Sequence, residues 1–218
     1  MSYTVRLMCQ EDVAQVTEID QEAFPTQLPA PNYERELRNQ LAHYLVAYDT
    51  EQTADNAEMQ SPPAKNPMGL TSRWKQWFNR NRSSTNADPP AGQFIVGFVG
   101  YWIIADEAHI MAIAVREAYR QRGIGELLLI SAIDLATELQ AHTVTLEVRV
   151  SNTSAQSLYT KYRFIEKGIR RGYYTDNQED GIVMTTPDIT LPECQTHFQQ
   201  LKQTHSSKWG ITLYQISR

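Results

Sequence analysis

Cysteine is nearly absent from this chain: Cys9 and Cys194 are the only two in 218 residues, far apart and in no metal-binding spacing. That excludes a disulfide-stapled scaffold and a cysteine zinc site. A reduced, cytoplasmic setting is the simpler reading, with one long-range disulfide as the alternative. Long apolar runs are also missing, none approaching the roughly 20 residues of a membrane span. The opening MSYTVRLMCQEDVAQ lacks the charged-then-apolar order of a secretory leader. Positive charge is in deficit, with 20 Lys and Arg against 25 Asp and Glu and a net charge of −5. Direct nucleic-acid binding is therefore not expected, and a basic partner suits the chain better.

What remains is an ordinary apolar content rich in Val, Ile, Leu, Tyr and Trp, enough for one good core. Tyr3 to Met8 alternates as a strand, and Val13, Val16 and Ile19 share a helical face. Asn32 is placed to cap a second helix with Tyr33, Leu37 and Leu41 on one side, and HYLVAYD from His43 reads as a short strand. From about 51 to 92 the composition shifts to Pro, Asn, Gln, Ser and Ala, which marks an insertion. Inside it, SRWKQWFNRNR sets Trp74, Trp77 and Phe78 at helical spacing among Arg73, Lys75, Arg80 and Arg82. This is either a basic amphipathic element for a membrane surface, RNA or a ribosome, or a short helix packed on the domain. After it come two strands of an antiparallel hairpin, a helix carrying Ile124, Leu128, Ala132, Leu135 and Leu139, a strand HTVTLEVRVS, a short helix SAQSLYTKY and two closing strands. Regular structure is expected to end at Pro187, leaving a tail whose apolar residues (Phe198, Leu201, Trp209, Leu213, Tyr214) have no assigned place.

The stretch REAYRQRGIGELLLIS joins a strand to the amphipathic helix. Gly123 and Gly125 let the backbone approach a ligand closely, and the first N–H groups of a helix attract anions. Arg120 and Arg122 add charge, so a diphosphate suits the place. The dinucleotide fingerprint is a poor fit, because a third glycine is missing and the upstream strands read as antiparallel. A Gly-Lys-Ser/Thr phosphate loop is missing too.

Arg120-Gln121-Arg122-Gly123-Ile124-Gly125 resembles the Gln/Arg-x-x-Gly-x-Gly/Ala acetyl-coenzyme A motif of the GNAT acetyltransferases. IAVREAYRQRGIGELLL, LEVRVSNTSAQSLY and IRRGYYTDNQEDGIVM are similar to one branch, the RimI-type enzymes that acetylate the N-terminal alanine of a ribosomal protein. Together these stretches cover about Ala112 to Met184. The resemblance implies an α+β fold with a central, mostly antiparallel, twisted sheet flanked by helices and splayed between its central strands. It implies one domain over 1–188, carrying the insertion, and an extension over 189–218. It further implies pantetheine paired with Ile113, Ala114 and Val115 and the pyrophosphate on Arg120, Gln121, Arg122, Gly123, Ile124 and Gly125. Asn152 would orient the cofactor or cap the following helix.

Acetyl transfer needs a neutral amine, a stabilised oxyanion and a tolerated thiolate. Neutralising an α-amine at pH 7 costs about 1 kcal/mol, against about 4.6 kcal/mol for a lysine, so a modest base suffices for a chain terminus. By resemblance the base is Glu147, alone or through a water, with a pKa that a half-buried cleft is expected to raise. From periodicity alone, Glu147 is one outward residue of a strand whose Val144, Leu146 and Val148 point the other way. Tyr159 matches the family's tyrosine acid near the sulfur, where hydrogen-bonding the leaving group matters as much as donating a proton; otherwise it is a core tyrosine. Oxyanion stabilisation is expected from a strand amide near Ile113 or Val115. Phe24, Tyr173 and Tyr174 resemble residues near the acceptor entrance, with cross-strand packing as the alternative for the tyrosine pair. His109 and His142 flank strands without metal spacing and read as surface or structural residues; no metal is expected.

The chain departs from the family pattern in three places. Arg163 stands where a glycine would precede Phe164, so that turn is expected to be built differently. The Phe24-Pro25 pair lacks its following tryptophan, and the insertion and tail have no counterpart. The expected activity is acetyl transfer from acetyl-coenzyme A to a protein N-terminus, first a ribosomal protein beginning with alanine, by a monomer or weak dimer. The rivals are a GNAT enzyme acting on lysines or a small amine, and an inactive GNAT-fold binding module.

Overall fold

A computed structural model describes residues 3–26, 31–53 and 92–210. The Trp-rich stretch 72–82, and Leu213 and Tyr214 of the tail, lie outside the described residues. Seven strands form one sheet: β1 (Tyr3–Leu7), β2 (Ala42–Thr53), β3 (Gln93–Ile104), β4 (Glu107–Val115), β5 (Thr143–Arg149), β6 (Ile165–Tyr174) and β7 (Glu179–Thr185). Their spatial order is β1-β2-β3-β4-β5-β7-β6. Every pairing is antiparallel except that of β4 with β5. A parallel pair needs a long crossover, and α3 (Ile124–Glu138) supplies it. The other α-helices among the described residues are α1 (Val13–Ala23), α2 (Tyr33–Glu36), α4 (Thr153–Lys161) and α5 (Pro192–Trp209).

Two cores flank the sheet. On one face, Leu127, Leu128, Leu129 and Ile130 of α3 pack with Leu45, Val99, Ile110 and Leu146. On the other, Val16 and Ile19 of α1 and Tyr33 of α2 pack with Val46, Phe98 and Ala114. A side chain as buried as Leu128 contributes about 1.5–3 kcal/mol by leaving water.

The sequence expectations hold for β4, α3, β5, α4 and the two closing strands, and fail at several boundaries. β2 runs 12 residues, through Thr53, because it pairs along its length with β1 and β3. Asn32 does cap α2, accepting from the Arg35 N–H at 3.0 Å, but the helix is a single turn. The Asn39 side chain takes the Leu41 N–H at 3.1 Å, turning the chain toward β2 and leaving Leu41 exposed rather than on the helical face. α3 stops at Glu138, so Leu139 is an exposed C-cap. Beyond Pro187 the chain forms an 18-residue helix, α5, with Pro192 in its first turn, where a missing N–H costs nothing. Arg163 adopts the left-handed φ of 63° that a glycine would, and the Phe164 N–H reaches Tyr159 O at 3.1 Å, so the turn is built in the ordinary way.

The site is positioned by one irregularity. Gly100 pairs with Ala112 and Tyr101 with Ile110, so Met111 bulges out of β4 unopposed. Ala108 and Ile110 therefore enter the α3 core, whereas Ala112 and Ala114, past the bulge, belong to the α1 core. β4 pairs with β5 only from Glu107 to Ile110, and Glu147 to Arg149 pair only with β7. From Met111 and Glu147 onward the sheet splays open.

Candidate active site

The splay opens into a cavity of about 810 Å³, within the range of small-molecule sites. Its walls are Ile110 to Ile113 of β4, Leu146 to Arg149 of β5, Asn152 and Tyr159 of α4, Tyr173 to Asn177 of the β6–β7 hairpin, and Ala23 to Thr26 after α1. Of the residues singled out from the sequence, Phe24, Ile113, Glu147, Asn152, Tyr159, Tyr173 and Tyr174 line this one space. Ala114 is buried in the α1 core, and residues 120–125 form the entry to α3 rather than the cavity wall.

Glu147 occupies the splay itself. Strand alternation buries Val144, Leu146 and Val148 behind it, and its own side chain is only 4% exposed. Oε2 meets His109 Nε2 at 2.7 Å, with the Tyr173 hydroxyl a longer 3.5 Å away. Arg170 Nη1 stands 3.1 Å from Oε1, within ion-pair range but without hydrogen-bond alignment, so Oε1 is buried with no hydrogen-bond partner. The expected upward pKa shift is not found. Burial does push Glu147 up, but the His109 hydrogen bond and the charges of His109 and Arg170 outweigh it and hold the carboxyl below its ordinary value. The same hydrogen bond pushes His109 up against its own burial, with further help from the Glu147 and Glu107 charges.

His109 is therefore a site residue that the sequence reading placed elsewhere. It lies two residues before the Met111 bulge and on the polar phase of β4. What the sequence withholds is the β4–β5 register, in which His109 faces Thr145, two residues from Glu147. His142, in contrast, is a surface residue, its Nδ1 3.1 Å from Asp188 Oδ2.

Tyr159 is buried on α4, its ring 5.6 Å from that of Phe164. Burial first, and the nearby Tyr174 second, hold its phenol protonated far above neutral pH. It can donate a hydrogen bond but is a reluctant source of a free proton. Asn152 caps α4, Oδ1 accepting from the Ala155 N–H at 3.1 Å, and it also borders the cavity.

The side of the cavity formed by β5, the β6–β7 hairpin and the segment after α1 carries a polar network absent from the sequence reading. Arg149, two residues beyond Glu147, grips Asp176 through two bonds of 3.0 and 2.9 Å and Glu179 at 3.2 Å, and lies 3.9 Å over the Tyr174 ring. Thr26 Oγ1 donates to Asp176 Oδ2 at 2.8 Å, tying the segment after α1 to the β6–β7 hairpin. Thr26 and Arg149 hold Asp176 below its ordinary pKa. Tyr173 and Tyr174 pack edge to face on each other, with centroids 5.1 Å apart, and the Tyr173 ring also lies across the strand pair against Gly181 of β7. Strand alternation from Glu147 points to Arg149; the Thr26–Asp176 bond joins residues 150 apart and has no local signal.

At the entry to α3, Gly123 is the N-cap with a left-handed φ of 78°, and Gln121 is left-handed at 60°. The Leu127 N–H bonds Gly123 O at 2.9 Å, so the N–H groups of Ile124, Gly125 and Glu126 precede the helical ladder. A Cβ on Gly125 would find only Val115 Cγ2, at 3.9 Å, so the surface there is open. Arg120 Nε turns back to Val115 O at 3.2 Å. Arg122 bonds Ala118 O at 2.8 Å and lies 4.9 Å over Tyr119. Both arginines brace the loop as well as charging it.

Known proteins share this fold. The chain is similar to the putative ribosomal protein bS18-alanine N-acetyltransferase of Bacillus subtilis strain 168, 47% identical over 90 residues, 41% of this chain and 60% of that protein. It is 42% identical over 87 residues to the ribosomal protein bS18-alanine N-acetyltransferase of Escherichia coli K12, 39% of this chain and 59% of the relative. These matches span about three fifths of the relatives' length. The crystal structure of the ribosomal-protein-S18-alanine N-acetyltransferase from Escherichia coli superposes with a TM-score of 0.59 at 23% identity, over 85% of this chain and 94% of that one, a likeness of fold. The Acetyltransferase (GNAT) family pattern matches residues 13–164, well over half the chain and including the splay, Glu147, Tyr159 and the glycine loop, and this chain belongs to that family.

Proposed function

We propose that this protein moves the acetyl group of acetyl-coenzyme A onto the N-terminal α-amine of a protein, with a ribosomal protein beginning in alanine as the first acceptor. The observation that carries the reading is Glu147, buried on the wall of a cavity that also holds Tyr159 and hydrogen-bonded to the half-buried His109 where β4 and β5 part. The relatives named for bS18-alanine acetylation support the choice of acceptor. The same reading takes 1–188 as one domain, about 51–92 as its insertion and 189–218 as an extension, in a cytoplasmic monomer or weak dimer. Among the described residues no helix is long and apolar enough to cross a membrane.

The residues fit the donor. Ala112 to Val115 have β3 on one side and, among the described residues, no strand on the other, an open edge for the amides of pantetheine. The amides of Ile124 and Gly125, at the positive end of α3, suit a diphosphate. Acetyl-coenzyme A brings the activated acyl group; the chain supplies the rest. A terminal ammonium enters past Asp176 and Glu179, acidic but held by Arg149. The Glu147–His109 pair takes its proton. With Glu147 held low and His109 held high, the vacancy for that proton lies on the imidazole side, and Glu147 orients and balances it. A strand amide at Ile113 or Val115 faces the developing oxyanion, and the Tyr159 hydroxyl hydrogen-bonds the leaving sulfur.

The test is to incubate the full chain with acetyl-coenzyme A and peptides varying in their first residues, free or blocked, and to locate the acetyl group by mass spectrometry. Acetyl on an alanine α-amine, lost in Glu147→Gln, is the expected result. Acetyl confined to lysines or small amines overturns the acceptor assignment, and coenzyme A binding without transfer overturns the enzyme reading.

A further inference from the structure

α5 lies beyond residue 164, where the family pattern ends, yet it reaches the loop assigned above to the donor. Its contacts with α3 run in opposite sequence directions. Lys202 pairs with Asp134, and farther along α5, His205 and Trp209 both meet Gly123. His205 is 1% exposed, and its Nε2 stands 2.9 Å from Gly123 O, the carbonyl that also accepts the Leu127 N–H. The Trp209 indole occupies the space where a side chain at residue 123 would begin: a Cβ there would lie 2.5 Å from Nε1.

We propose that α5 is a working part of the donor site, with His205 and Trp209 as positioning residues that fix Gly123 and so set the amides of Ile124 and Gly125 toward the coenzyme A diphosphate. The inference rests on the donor reading of the preceding section. A loop with left-handed residues at 121 and 123 gains its close approach to a ligand at the cost of conformational freedom. Whatever orders that loop before the ligand arrives improves affinity by removing an ordering cost from the binding step. Tyr3, Tyr119 and Val115 hold the arginines of the loop from the β-sheet side. The α5 clasp holds its glycine from the helix side. Burial keeps His205 below its ordinary pKa, so a neutral imidazole whose Nε2 carries the hydrogen is the form suited to this bond.

Calorimetric titration of coenzyme A into the full chain tests the proposal, beside steady-state kinetics with the acceptor peptide. His205→Ala and Trp209→Ala are expected to weaken coenzyme A about tenfold and to raise KM for acetyl-coenzyme A alike, with kcat and the acceptor KM unchanged. His205→Gln keeps an N–H donor and is expected to stay within about twofold of the parent. Melting curves identify any variant that fails to fold, and His205→Gln against His205→Ala then decides. Unchanged affinity in folded variants overturns the clasp while leaving the donor reading intact. So does a loss shared equally by donor and acceptor. A parent chain that binds no coenzyme A overturns the donor reading, and the clasp with it.

Discussion

The half of this cleft proposed for the donor and the half proposed for the acceptor are built by different means. The donor half is backbone: an open strand edge from Ala112 to Val115 and the amides that open α3. The acceptor half is side chains drawn from α1, β4, β5 and the β6–β7 hairpin, linked by bonds such as His109–Glu147 and Thr26–Asp176. Backbone recognition depends on torsions, which a short run of glycines and neighbours can specify. Side-chain recognition depends on which strands lie side by side, a property of the whole sheet. The two halves should therefore respond to substitution separately.

His109→Gln is the largest expected break, lowering kcat by about 10²–10⁴-fold while coenzyme A affinity stays at the parent value. If donor binding falls with it, the halves are not separable. Glu147→Gln comes next, at about 10–100-fold in kcat, and the pH dependence of His109→Gln sharpens the comparison. In the parent, kcat should rise as pH climbs through the His109 pKa, which lies above 6.5. In the variant that limb should move to lower pH, toward the ordinary range of a glutamate. The same pair has a stability window. His109, held high, stabilises the fold fully below pH 6.5, a contribution lost as pH rises through its folded value; Glu147, held low, stabilises above 4.5 and loses this as pH falls. The melting temperature of the parent should therefore exceed that of His109→Gln most between pH 4.5 and 6.5.

Thr26→Val removes the bond to Asp176 across the acceptor mouth and should raise the acceptor KM about two- to fivefold, with KM for acetyl-coenzyme A unmoved. The smallest effect lies outside both halves. Arg163→Gly relieves a left-handed arginine and should add about 1 kcal/mol of stability, read from denaturant melts, with no change in either KM.

The sequence is legible where a residue's job is local. The Arg120-to-Gly125 turn, the amphipathic α3 and the alternation that sets Glu147 against Leu146 and Val148 all read correctly, because each depends on neighbours within a few positions. Glu147 and Tyr159 could be picked out, but not the His109 hydrogen bond that reverses the expected pKa shift of Glu147, since that bond depends on a parallel register bridged by a 15-residue helix. α5 escaped for another reason. Its apolar residues are sparse, and Phe198 and His205 are buried through partners distant in sequence, Phe198 against Tyr162 and His205 at Gly123. Asn39, three residues beyond α2, turns the chain through a side-chain bond to the Leu41 N–H that helical periodicity does not register.

Met111 gives this protein a reading frame of its own. It is the one residue by which β4 outruns its partner between Gly100 and Ala112, and every side chain after it is turned over as a result. Deleting one residue in a surface loop shortens a connection. Deleting one here would leave a regular ladder in which Ala112 to Val115 keep their present faces and their partners on β3, and would remove the irregularity at which β4 parts from β5. Substitution at 111 should leave stability little changed, since the side chain is exposed, while deletion should narrow the cleft.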